Sequence, residues 1–175
     1  LLSDQGVLKR TKITTELHAP DGIVYGERHD LEQAFVNLVL NAVDAMEADG
    51  HITIRTQIND RAGVDGSAAS QRTDKRRTDT ATDRWPARPS RRALAWLTRP
   101  DAPERFLQVI VADSGTGVAP DDAERIFEPF FTTKQPGKGT GLGLSIVASI
   151  IETLGGTIWV QRAREGGAAF VVLVP

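Results

Sequence analysis

Asp113-Ser114-Gly115-Thr116-Gly117 and Gly139-Thr140-Gly141-Leu142-Gly143-Leu144 bracket the most informative segment of this chain. Between them runs Phe127-Glu128-Pro129-Phe130-Phe131-Thr132-Thr133-Lys134. The apolar residues 106–112 predict a strand that delivers the Asp113 carboxylate to a glycine turn. Gly115 and Gly117 allow positive φ there and let a flat ligand approach the backbone. The second glycine group precedes a helix-periodic apolar segment, residues 144–154. A glycine-rich turn feeding a helix N-terminus offers free N–H groups and the positive end of the helix dipole to an anion. A carboxylate for a base edge and a helix N-terminus for phosphates together suggest a nucleotide.

Upstream, residues 30–48 predict a helix, with Gly50 as the stop just beyond its end. Its apolar residues cover most of the circumference, the pattern of a buried helix. Asn37, Asn41 and Asp44 break that surface along one stripe, with Gln33 a turn earlier. The stripe reads either as a hydrogen-bonded polar seam in the core or as a face turned to a polar ligand. On the second reading, two amide oxygens four residues apart suit an oxygen-seeking cation such as Mg²⁺, which keeps waters and substrate phosphates as its other ligands.

Residues 11–17 and 51–58 predict strands, as do 157–161 and 168–174, the last two antiparallel around Glu165-Gly166-Gly167. Residues 23–25 predict a further short strand, and 120–126 a short helix with Pro120 and acidic residues in its first turn. The polar segment 132–139 is expected to be mobile. Strands and helices do not alternate regularly, which argues against a doubly wound sheet. The expected class is α+β: a two-layer α/β sandwich with one mixed, largely antiparallel sheet and helices on one face.

The 175 residues suffice for one domain with a real core, and 40% hydrophobic with 25% charged residues is ordinary for a soluble protein. A net charge of −2 gives no electrostatic case for nucleic acid. The absence of Cys excludes disulfides, thiolate metal sites and a cysteine nucleophile. No apolar run reaches membrane-helix length, and the start does not resemble a signal peptide. With no initial Met, a fragment of a longer protein is expected. Residues 1–175 are expected to form a single domain, interrupted by a basic, aliphatic-poor stretch at 61–104 that far exceeds ordinary loop lengths. It predicts a disordered or poorly ordered insertion. Trp85 and Ala93-Leu94-Ala95-Trp96-Leu97 leave open that it docks a partner or an acidic surface; an error in the sequence would give the same composition.

Two phosphate motifs are excluded. A P-loop needs Ser or Thr after Gly-Lys, whereas Gly139 follows Gly137-Lys138. A dinucleotide fingerprint needs Gly-x-Gly-x-x-Gly, whereas Gly139, Gly141 and Gly143 alternate.

Asn37-Leu38-Val39-Leu40-Asn41-Ala42-Val43-Asp44-Ala45-Met46 resembles the N box of sensor histidine kinases. The Asp113–Gly117, Phe127–Lys134 and Gly139–Leu144 segments resemble their G1, F and G2 boxes, in the family's order. Topoisomerases and mismatch-repair ATPases share the nucleotide fold but lack the phenylalanine box. They also carry a Glu that activates water where Asn37 stands. The resemblance implies the Bergerat-type ATP-binding fold, with ATP and Mg²⁺ as ligands. It implies that Asn41 binds Mg²⁺ with Asn37 assisting, that Asp113 accepts from the adenine amino group, and that Gly115 and Gly117 shape the adenine pocket. Gly139, Gly141 and Gly143 would hinge an ATP lid, with Thr133, Thr140 and Leu142 beside them and Lys134 or Lys138 neutralising phosphate. Many kinases have Lys where Asp44 stands; the acidic residue resembles the nitrogen-sensor-like branch and points to ordering a water or orienting a nearby cation.

The implied activity is transfer of the ATP γ-phosphoryl group to a histidine on a separate dimerisation domain upstream of Leu1, then to a response-regulator aspartate. The full-length protein would be a homodimer, cytoplasmic or membrane-anchored, with no membrane segment in this stretch and no nucleic-acid partner. His29-Asp30-Leu31 mimics a phosphoacceptor box but lies at the entry of the N-box helix and reads as coincidence. The alternatives are an ATP-sensing module without transfer and an ATP-driven clamp.

Overall fold

The computed structural model describes residues 11–46, 49–61, 90–134, 139–164 and 166–175. Its elements run β1 (Lys12–His18), α1 (Arg28–Asp44), β2 (His51–Asp60), α2 (Arg91–Leu97), β3 (Arg105–Asp113), α3 (Gly143–Thr153), β4 (Thr157–Arg162) and β5 (Ala168–Val174). Two single-turn 3-10 helices, Pro120–Asp122 and Arg125–Phe127, replace the expected short helix. The strands form one sheet in the order β1-β2-β3-β5-β4, parallel between β1 and β2 and antiparallel elsewhere. The expected mixed, largely antiparallel sheet is therefore present.

Alternation along the strands sorts the sheet's two faces. Val109 and Val111 of β3 and Ala168, Phe170, Val172 and Val174 of β5 point to one face. There they meet Leu38, Val39 and Ala42 of α1 and Val147, Ala148 and Ile151 of α3. All seven residues of β5 are buried, because it runs between β3 and β4 with both faces covered. β1 is an edge, and its Lys12 and Glu16 give that edge the charge that discourages further strand pairing.

Further expectations need correction. The helix α1 stops at Asp44, before Gly50, with Ala45 at its C-cap and Asp49 at φ 51°. Only one side of it is buried, and Val36 is exposed. Residues 23–25 form no strand: Val24 packs against the core while Ile23 and Tyr25 stay exposed. Within the expected insertion, residues 62–89 and Trp85 lie outside the described residues, but residues 91–97 form α2. Ser90 caps it, its side chain accepting from the Ala93 N–H. Ala93, Trp96 and Leu97 then pack with Phe106, Ile110, Trp159 and Val171 on the sheet face opposite α1 and α3. So the two long helices share one face, as expected, and a short third covers part of the other. Trp96 anchors it: its indole Nε1 donates to the Gly155 carbonyl at 2.6 Å, and its ring meets Phe106 edge-on at 5.6 Å. Arg92 ties α2 to Glu152 of α3.

Among the described residues no helix is long and apolar enough to cross a membrane.

Candidate functional site

β3 ends on Asp113, whose side chain is 1% exposed. Its Oδ1 accepts the Gly115 N–H at 2.8 Å and the Ala168 N–H at 3.1 Å. Two backbone donors fix the carboxylate in one orientation, and charged acceptors make such bonds stronger than neutral ones. The first residue of β5 supplies one of them, so Gly167 just before it must approach closely. A Cβ there would collide with Asp113 Oδ1, the Asp113 carbonyl and the Gly115 nitrogen. Gly115 abuts the Ala45 carbonyl at the end of α1, and its role is this close approach rather than the expected positive φ; Gly117 does take positive φ, at 76°. The Thr116 N–H also donates to the Ala45 carbonyl at 3.2 Å, joining this turn to the end of the Asn-bearing helix.

Above this carboxylate lies a cavity of about 450 Å³. Of the residues expected at the site, Asn37, Asn41, Asp113, Gly117, Thr133, Lys134, Gly139, Thr140, Gly141 and Gly143 line it. The asparagine stripe therefore faces the cavity, and Gln33 of the same stripe is exposed away from it. Gly115 and Leu142 support the wall without lining it. Lys138 lies outside the described residues, with the rest of 135–138.

Leu142 is the N-cap of α3, and no side chain caps that helix end. Its first-turn N–H groups are thus the ones a bound anion would satisfy. Gly143, the first residue of the helix, sits against both amides: the position of its absent Cβ is 3.7 Å from Asn41 Nδ2 and 3.9 Å from Asn37 Oδ1. Gly141 holds φ 66° and accepts the Phe130 N–H at 3.0 Å, and Phe130 itself holds φ 66°. A side chain on Gly141 would run into the Phe130 backbone, so the two boxes are locked at this one point. Phe131 lines the cavity with the Arg125 guanidinium over its ring at 4.5 Å.

Sequence reasoning missed the apolar wall made by Val118, Ile126, Leu144, Ala168 and Phe170. Its signal was present only as ordinary core residues beside the motifs. Asp44 and Lys134 meet at 2.8 Å, which bears out the reading of Asp44 as orienting a nearby cation.

Residues 91–175 match the family described as histidine kinase-, DNA gyrase B-, and HSP90-like ATPase. The sensor kinase CckA of Brucella abortus (strain 2308) is 40% identical over 145 residues, 82% of this chain and 12% of that protein. The chain belongs to the histidine-kinase-type ATP-binding domains of this ATPase family. The domain is also 31% identical over 176 residues to the sensory histidine kinase/phosphatase NtrB of Rhizobium meliloti (strain 1021), covering 99% of this chain and 37% of that protein. The structure of full-length ShkA in complex with AMPPNP superimposes with a TM-score of 0.64 at 25% identity, covering 99% of this chain and 27% of that one. The domain thus spans well under two thirds of the length of the relatives it matches.

Proposed function

We propose that this domain binds ATP in the cavity and donates its γ-phosphoryl group to a histidine on a separate dimerisation domain, for onward transfer to a response-regulator aspartate. One observation carries the reading: a buried, backbone-oriented carboxylate shares a single cavity with an amide pair and an uncapped helix N-terminus. The carboxylate can only accept when ionised, which matches the exocyclic amino group of adenine. The helix N-terminus and the Lys134 ammonium match phosphate oxygens.

The residues present also fit Mg²⁺. Among the described residues no group of three carboxylate, imidazole or thiolate side chains could hold a metal alone. Asn41, with Asn37 a turn away, offers neutral oxygens beside the phosphate end, the ligand set of an ion completed by phosphates and water. When bound, the ion would neutralise charge across the phosphates. Phosphoryl transfer leaves little covalent work for the protein, so the domain acts by positioning and by charge complementarity. Asn37, an amide, cannot take a proton from water as a carboxylate can, which disfavours hydrolysis as the outcome. The chain's three histidines, His18, His29 and His51, line no part of the cavity, consistent with an acceptor on another domain. We place the parent protein in the cytoplasm or at a membrane, as a homodimer.

Asn41→Ala is expected to abolish the Mg²⁺-dependent part of ATP affinity while leaving Mg²⁺-independent binding in place, checked by titrating ATP with Mg²⁺ and with EDTA. For transfer itself, γ-labelled ATP is supplied with histidine-kinase dimerisation domains added in trans. Base-stable, acid-labile label on an added domain is the expected result. Rapid steady-state hydrolysis with no labelled domain would overturn the kinase reading.

A further inference from the structure

The ion pair between Asp44 and Lys134 lies at the solvent-facing edge of the cavity, and both residues line it. Asp44 ends α1 three residues after Asn41, on the same stripe as both asparagines. Lys134 comes from the far end of the phenylalanine box, ninety residues away in sequence. Its backbone N–H is held by Thr132 Oγ1 at 3.2 Å, and the position of the absent Gly139 Cβ lies 3.2 Å from its Cδ. The lysine stem therefore lies against Gly139, and its head is held by Asp44 of α1. The pair is partly solvated, with side chains 35% and 54% exposed, so neither partner is trapped by desolvation.

A carboxylate here is costly for a site that binds phosphates. It repels them directly, and it occupies the one described lysine that lines the cavity. We propose that Asp44 is a built-in competitor for Lys134: it holds the ammonium when no phosphate is present, yields it when one binds, and recaptures it as nucleotide leaves. Asp44 is thus a positioning residue that sets phosphate affinity and the rate of nucleotide release, and it does so without touching the base. An ammonium has three donors, which lets the exchange pass through an intermediate bridged by both acceptors. This inference rests on the reading of the cavity as an ATP site.

The test is a charge cycle read on nucleotide binding. Asp44→Asn keeps the side-chain shape and is expected to tighten ATP and ADP by roughly three- to tenfold, the scale of one partly solvated charge. It slows ADP release measured by stopped flow by a similar factor and leaves adenosine affinity unchanged. Lys134→Met loses a cation and also leaves Asp44 unmasked, so it weakens ATP. In the double variant, Asp44→Asn restores part of that loss, which a merely structural role for either residue does not produce. Wild-type protein that binds ATP, with Asp44→Asn giving equal or weaker ATP affinity, overturns the competitor role alone. A wild-type chain that binds neither ATP nor adenosine overturns the nucleotide reading and this inference with it.

Discussion

Asp113→Asn is expected to weaken ATP binding roughly ten- to hundredfold, corresponding to about 1.5–3 kcal/mol for a hydrogen bond to a charged group. The substitution separates two duties of this side chain. Its Oδ1 accepts the Gly115 and Ala168 N–H groups, and an asparagine oxygen can take over both. The remaining atom then becomes an NH₂ group, which meets the adenine amino group donor to donor. Folding is preserved and base recognition is lost. Asp113→Ala is a poorer probe, because it strands two backbone donors at a site that is 1% exposed. Each stranded donor costs about 1–3 kcal/mol, so the alanine variant loses stability as well as affinity. Calorimetric titration paired with a denaturation curve checks both halves of the expectation. An asparagine variant that folds and binds ATP at wild-type affinity would remove Asp113 from the adenine contact.

Trp96→Ala is expected to lower the unfolding free energy by about 3–5 kcal/mol, the range for large aromatic truncations in a core. Trp96 is 4% exposed and packs against Phe106, Ile110 and Val171 on the second face of the sheet. It also donates to the Gly155 carbonyl, at the turn that follows α3. The Arg99 guanidinium lies over its ring at 5.5 Å and reaches the same carbonyl at 3.3 Å, so that acceptor keeps one donor in the variant. The loss is therefore one of packing and aromatic contact. Gly155 lies past the C-terminal end of α3, whereas the cavity lies at its N-terminal end. ATP affinity of the folded fraction should accordingly stay near wild type. Urea denaturation measures the stability, and a loss under about 1 kcal/mol would mean that α2 is a passive appendage. A deletion running to residue 103 would remove this anchor, so it is not a neutral shortening of a loop.

These two sites differ in how far the sequence revealed them. Strands β3 and β5 were legible because apolar runs, broken in β3 only by Gln108, led into a motif or followed a turn, and residues 168–174 form β5 as expected. The Asn37 and Asn41 stripe was legible because helical spacing alone puts the two on one face. The helix α2 was hidden by averaging composition over the whole of 61–104. Read locally, Ser90 as a cap and Ala93, Trp96 and Leu97 as one apolar face already describe it. The end of α1 was misjudged because Gly50 offered a familiar stop signal, while the chain turns earlier, where the Thr116 N–H donates to the Ala45 carbonyl. At the site, Ala168 contributes, besides its place in the apolar wall, a backbone N–H, which no side-chain pattern announces. The Asp44–Lys134 pair joins residues ninety apart, and only the folded register of α1 against the phenylalanine box brings them together.

Competitive titration of the domain with ATP and GTP in the presence of Mg²⁺ tests directly whether Asp113 reads the adenine base. Guanine presents a carbonyl oxygen where adenine presents an amino group, so a carboxylate at that position accepts from one and repels the other. The structure predicts that ATP binds at least about tenfold more tightly than GTP, and that Asp113→Asn erases this preference. Equal affinity for the two nucleotides in the wild-type domain, or an undiminished preference in Asp113→Asn, would contradict the assignment of the cavity.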